Sequence, residues 1–184
     1  MMAMERLAKL IQDRNKISEE IAKIINRPAL NSHIGEYVAS QIFDISLNES
    51  ANVKGMDGLF KTGPLRGKSV NVKLYGKQEN ILDISPGYLA DYYLVLSGDT
   101  GDLLSSRGKT HPLIISQVFL FNMNEIMNRL RASGVKIGIA TSIRKSEWEK
   151  AMVYPVQKNM ELVLSNEQVE LLRLFDNNVT KGGC

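Results

Sequence analysis

Apolar residues first recur at helical spacing. Leu7, Leu10 and Ile11, then Ile17, Ile21, Ile24 and Ile25, predict a helix over residues 4–26. Ser18 followed by Glu19 and Glu20 reads as a fresh N-cap with acids in the first turn, so a break is expected near Asn15. Arg27-Pro28 ends the stretch, because the residue before proline is pushed out of the helical region. Asn31 or Ser32 can cap a second helix running to about Phe43, with Ile34, Val38, Ile42 and Phe43 on its apolar face.

The pattern then changes period. Residues 45–47 predict a short strand, followed by a polar loop through Asn52. Gly55-Met-Asp57-Gly58 is a turn, and Gly63-Pro64 and Arg66-Gly67 are further turn signals. Residues 69–75 alternate apolar and polar side chains, as a half-buried strand does, so residues 57–75 read as a β-hairpin. Residues 92–96 form an apolar run suited to a central strand. Residues 98–112, rich in Gly, Ser and Asp, predict a loop. Residues 118–121 predict a strand, 124–132 a helix ended by Gly134, and 135–140 a last strand. Residues 144–151 and 165–175 predict short helices. Strands interleaved with helices imply an α/β fold, a mixed sheet flanked by helices. One domain is expected over residues 1–184: N-terminal helices over 1–43, a mixed-sheet core over 44–140 and C-terminal helices over 141–184.

Composition narrows this picture only a little. At 43% hydrophobic and 23% charged residues, the chain is too apolar for a disordered protein. The net charge of +3 is compatible with a nucleic-acid partner without demanding one. Cys184 is the single cysteine, which rules out an intramolecular disulfide and a cysteine-built zinc site. That usage fits the reducing cytoplasm. No apolar run approaches a bilayer span, and residues 1–23 contain no uninterrupted apolar stretch of the signal-peptide kind.

The hairpin carries the candidate chemistry. Asn71 and Lys73 share one strand face, while Val70, Val72 and Leu74 share the other. Hairpin pairing brings Asp57 to the same neighbourhood. A carboxylate, an amide oxygen and a lysine suit phosphodiester hydrolysis. Oxygen ligands hold Mg²⁺, and a lysine orients or deprotonates water and offsets phosphate charge. Glu36, preceded by Gly35 near the start of the second helix, is the best second carboxylate.

Gly35-Glu36-Tyr37-Val38-Ala39 on a helix, Gly55-Met56-Asp57-Gly58 at a hairpin and Asn71-Val72-Lys73 on a strand together resemble the PD-(D/E)xK nuclease superfamily. The likeness is to its restriction-endonuclease-like domains and covers residues 34–96. It implies a restriction-endonuclease-like core and a DNA endonuclease, of restriction or defence type, acting on double-stranded DNA. It also implies Mg²⁺ or Mn²⁺ as cofactor, Glu36 and Asp57 as metal ligands and Lys73 as the catalytic lysine. Restriction-type enzymes often dimerise, so a homodimer is an expectation of the same likeness. Asn71 stands where the family carries an acidic residue; its oxygen can ligate a metal but brings no charge. A catalytically inactive nucleic-acid-binding module on the same fold is therefore the second reading.

Other side chains have plainer readings. Asp57 alone is a turn aspartate, Lys73 an edge-strand lysine and Glu36 a first-turn acid. His33 and His111 make no metal spacing with the carboxylates, and nothing singles out Asp83, Asp91 or Asp99. Arg66, Lys68, Lys77, Arg107, Lys109, Arg144 and Lys145 are candidate phosphate contacts or ordinary surface. Trp148 and Tyr154 read as packing residues. Residues 18–40 also fit a helix-turn-helix, though the second helix would offer DNA Glu36 and few basic residues. A third reading is an interaction domain whose apolar N-terminal helix pairs with a partner.

Overall fold

A computed structural model describes residues 2–48, 55–87, 89–98 and 112–176. The end of the predicted polar loop, most of the predicted 98–112 loop, His111, Asp99, Arg107, Lys109 and Cys184 lie outside the described residues.

Helix α1 spans Met2–Ile25 and α2 spans Asn31–Ile42. Strands β1 (Ile45–Leu47), β2 (Gly58–Phe60) and β3 (Ser69–Tyr75) follow as an antiparallel meander. Then come β4 (Ile81–Leu82), β5 (Tyr92–Ser97), β6 (Gln117–Asn122) and α3 (Met123–Ala132). The described chain closes with β7 (Thr141–Ser142), α4 (Lys145–Ala151), β8 (Met152–Tyr154) and α5 (Asn166–Arg173). Six strands form one sheet in the order β1-β2-β3-β5-β6-β8, and β4 pairs with β7 in a small second sheet. Only β3 and β5 run parallel in the large sheet, so it is mixed, with helices on its faces as the hydrophobic pattern implied.

The strand period of two splits the core between these faces. Val70, Val72, Leu94, Leu96, Val118 and Leu120 face α2 and Leu172 of α5. Tyr93, Val95, Phe119 and Phe121 face the opposite way, toward α3, α4 and Leu82. Trp148 stands edge-on to Phe119 and Phe121, each at 4.8 Å between ring centres. It is a core residue, as is Tyr154.

Several expectations need correction. Helix α1 runs unbroken through Asn15 and Ser18, because its apolar period continues across them and Lys9 pairs with Asp13 one turn apart. Helix α2 starts after Leu30 without a side-chain cap. Residues 135–140 are not a strand. Val135 and Ile137 pack against the second core cluster, but Ile139 is 90% exposed and Ala140 takes a positive φ of 60°, so the chain turns there. The strand pairing begins at Thr141 instead. β4 and β8 were not anticipated, being two and three residues long.

Helix α2 sits unusually close to the sheet. A Cβ placed on Gly35 would lie 2.7 Å from the Cβ of Leu74, so only glycine lets the helix cross β3 at this height. Gly58 plays a similar part between β1 and β2, where a Cβ would meet the Ser46 carbonyl oxygen at 2.3 Å. The two glycines thus set the positions of their neighbours Glu36 and Asp57.

Candidate active site

β2 pairs with β3 only at Gly58↔Val70 and Leu59↔Ser69. Beyond Val70 the outer edge of β3 needs other partners for its backbone, and Asp57 supplies them. Its own N–H donates to the Val70 carbonyl at 2.9 Å, and its Oδ2 accepts from the Val72 N–H at 2.6 Å. The Asp57 carboxylate therefore lies beside the residue between Asn71 and Lys73. Asn48 fixes it from behind, donating its N–H to the Asp57 carbonyl at 2.9 Å and its Nδ2 to the Met56 carbonyl at 2.8 Å.

Asn71 is 7% exposed, and its Oδ1 is buried without a hydrogen-bond partner. A buried acceptor left unsatisfied costs about 1–3 kcal/mol, so such atoms are rare and call for a reason. Lys73, on the same face, holds its Nζ 5.5 Å from the centre of the Tyr93 ring, a cation–π contact. Glu36 enters from α2, with its Oε2 bound to Nη1 of Arg27 at 2.7 Å. Nη2 of Arg27 donates to the Asn48 carbonyl at 2.8 Å, so one guanidinium ties Glu36 to the segment that carries Asp57.

These groups feel one another. Burial pushes the Glu36 carboxyl above its ordinary range, and the negative charge of Asp57 raises it further against Arg27 and His33. Burial likewise pushes Asp57 up, opposed by the Val72 N–H, by Lys73 and by Arg27. Burial raises the Tyr93 phenol, the Ser85 N–H opposes this, and the Asp57 charge adds to it. Two carboxylates whose charged forms are disfavoured by burial, one of them also by the charge of the other, make a pair that would gain from a cation.

Of the four residues singled out from the sequence, Glu36, Asp57 and Lys73 lie in electrostatic reach as a chain with Asp57 at its centre, and Asn71 flanks it. Arg27, Asn48 and Tyr93 were not anticipated. In the sequence Arg27 marks a helix end and a turn, and no spacing rule links it to Asn48, 21 residues on. His33 lies near Glu36 as a charge, with its Nδ1 2.9 Å from the Pro28 carbonyl. Asp91 belongs to the far end of β3, where it accepts from the N–H and hydroxyl of Ser69 at 2.8 and 2.7 Å. Lys68 pairs with Asp91 at 3.8 Å.

Among the described residues, no group of three or more His, Cys, Asp or Glu could hold a metal. The donor set is two carboxylates and the unpartnered amide oxygen of Asn71, all oxygen, which suits a hard divalent cation such as Mg²⁺. No helix among the described residues is long and apolar enough to cross a membrane. No protein-family model matches the chain, and no curated protein matches it.

Proposed function

We propose that the protein is a metal-dependent endonuclease of the PD-(D/E)xK kind, hydrolysing phosphodiesters of double-stranded DNA in a restriction or defence role. The observation that carries this reading is the Asp57 carboxylate bound to the Val72 N–H, between Asn71 with its buried, unpartnered Oδ1 and Lys73 along the strand. Buried acceptors are ordinarily partnered, so an unpartnered amide oxygen next in the chain to the Asp57-bound Val72 fits a cation site. Glu36, Asp57 and Asn71 would hold Mg²⁺ or Mn²⁺. The bound ion would supply charge neutralisation at the phosphate and a more acidic water.

The chain's own residues account for the rest. Asp57 is fixed by backbone bonds on both sides, so its carboxylate is aimed before anything binds. Lys73 is steadied by the Tyr93 ring, and its ammonium would orient an attacking water or offset phosphate charge. Arg27 neutralises Glu36 in the protein as it stands. The cysteine usage, Cys184 alone, fits a reducing, cytoplasmic setting.

The test is cleavage of supercoiled plasmid, linear duplex, single-stranded DNA and RNA with Mg²⁺ and with Mn²⁺. Duplex cleavage should disappear in both Asp57→Ala and Lys73→Ala. Wild-type protein that cuts none of these substrates with either metal sinks the reading.

One observation favours a second reading, a nucleic-acid-binding module that no longer cuts. Asn71 brings no charge, and Arg27 already occupies Glu36. It predicts salt-sensitive DNA binding without cleavage. Cleavage gained on Asn71→Asp, where wild type only binds, would decide for it.

A further inference from the structure

Helix α1 is 24 residues long and buries one of them, Ile25. At 1.5 Å per residue it extends for roughly 36 Å. An isolated helix in water draws little stability from propensity; most comes from packing an apolar face. That face exists and is uncovered: Leu7, Leu10, Ile11, Ile17 and Ile24 are all exposed.

The spacing identifies what kind of surface this is. Leu7, Leu10, Arg14, Ile17, Ile21 and Ile24 alternate at intervals of three and four, the seam that packs against another helix. Met4 and Ile11 widen it along one edge. Near Ile21 and Ile24 the stripe runs into an apolar groove of about 400 Å³, lined also by Ile34, Tyr37 and Leu174.

We propose that α1 is the dimerisation element, pairing antiparallel with α1 of a second copy. Three features commit it to that occupant. A 24-residue helix together with the groove offers about the 20–30 residues a side of a standard interface. The charges also fit one orientation. With Leu7 facing the partner's Ile24 and Leu10 facing the partner's Ile21, Arg14 faces the partner's Ile17. The two Arg14 side chains then fall in separate layers of the seam. A parallel pair would instead place two Arg14 side chains in one core layer. Finally, the antiparallel register carries the partner's Met4 past Ile25, over the groove. The residues beyond the described C-terminal end, 177–184, carry a single large apolar side chain, Val179, and are poorly suited to fill it. This inference does not depend on the nuclease reading.

The experiment is light scattering of the full chain with sedimentation equilibrium as a check. Wild type should have twice the 20.6 kDa mass of one chain, and Leu10→Glu with Ile17→Glu should halve it. Both positions are exposed on α1, so fluorescence of buried Trp148 should stay unchanged and separate dissociation from unfolding. Orientation is read in a Cys184→Ser background. Leu7→Cys with Ile24→Cys should oxidise to a covalent dimer, and Leu7→Cys alone should not. A monomeric wild type, as expected if the groove takes the chain's own tail, overturns the proposal. So does a dimer that survives the double glutamate change, and so does self-linkage through Leu7→Cys alone.

Discussion

Two aspartates bind the backbone of β3, and they differ in nearly every physical respect. Asp91, at the start of the strand, accepts two hydrogen bonds from Ser69 and has Lys68 nearby, with its side chain 37% exposed. Those bonds hold its carboxyl below the ordinary range. Asp57, alongside the middle of the same strand, is more deeply buried, takes one backbone N–H and acts on a second carboxylate, Glu36. Its carboxyl is pushed up. The same residue type bound to the same strand is thus satisfied at one end and disfavoured by burial beside the middle. Folding alone explains Asp91, because every group there has a partner. Burial at Asp57 is only partly offset by the Val72 N–H, Lys73 and Arg27, an imbalance that a bound cation would reduce.

The largest effect should separate the two in activity. Asp57→Ala and Lys73→Ala should lower Mg²⁺-dependent cleavage by about 10²–10⁴-fold, the scale for losing a positioned acid–base or electrostatic group. Asp91→Asn should leave the rate within a few-fold, measured as nicking of supercoiled plasmid. Equal losses at both aspartates would erase the distinction.

A smaller effect concerns Arg27, which spans Glu36 and the Asn48 carbonyl, whereas the cation near Asp91, Lys68, pairs with it only at 3.8 Å. It stands in for a cation on Glu36, so a metal must displace its charge. Arg27→Ala should tighten Mn²⁺ binding by about tenfold, equivalent to ~1.4 kcal/mol, in calorimetric titration. Arg27→Lys, which keeps the charge, should stay near wild type. Unchanged affinity in Arg27→Ala would show that Arg27 only braces the loop.

Much of this difference is legible in the sequence. Residues 69–75 alternate cleanly, so the shared face of Asn71 and Lys73 followed from the strand period, and Gly58 marked where the hairpin places Asp57. Gly35 signalled a close approach, and the structure shows the approach is to Leu74 rather than to a ligand. The imbalance at Asp57 was not legible. It depends on how deeply Asp57 and Glu36 are buried and on Arg27 reaching Asn48 across the fold, and neither follows from local spacing. The 135–140 segment misled for a related reason. Val135 and Ile137 are two apart because both cover the second core cluster from an irregular segment, which imitates a strand's alternation. Asp91, which nothing in the sequence singled out, gained its role from Ser69, 22 residues away.

The smallest effect is on stability, and its sign reverses between the aspartates. Asp57 has a raised carboxyl in the folded protein, so ionising it costs folding free energy. That cost is absent below the unfolded-state value, grows as pH rises toward the raised folded value and is fully present above it. Asp91 has a lowered carboxyl, so its ionised form stabilises the fold. That contribution is present above the unfolded-state value and is lost as pH falls through the lowered folded value. At pH 7 without metal, Asp57→Asn should therefore raise stability by on the order of 1 kcal/mol, since the amide oxygen can still accept from Val72. Asp91→Asn should lower it by about as much or less, because its side chain is over a third exposed. In urea denaturation across a pH series, both differences should shrink toward zero as the solution becomes acidic. Added Mn²⁺ should then raise the stability of wild type and Asp91→Asn but not of Asp57→Asn. If Asp57→Asn destabilises the metal-free protein at pH 7, the carboxylate is holding the strand edge together, and Asp57 and Asp91 are the same kind of residue after all.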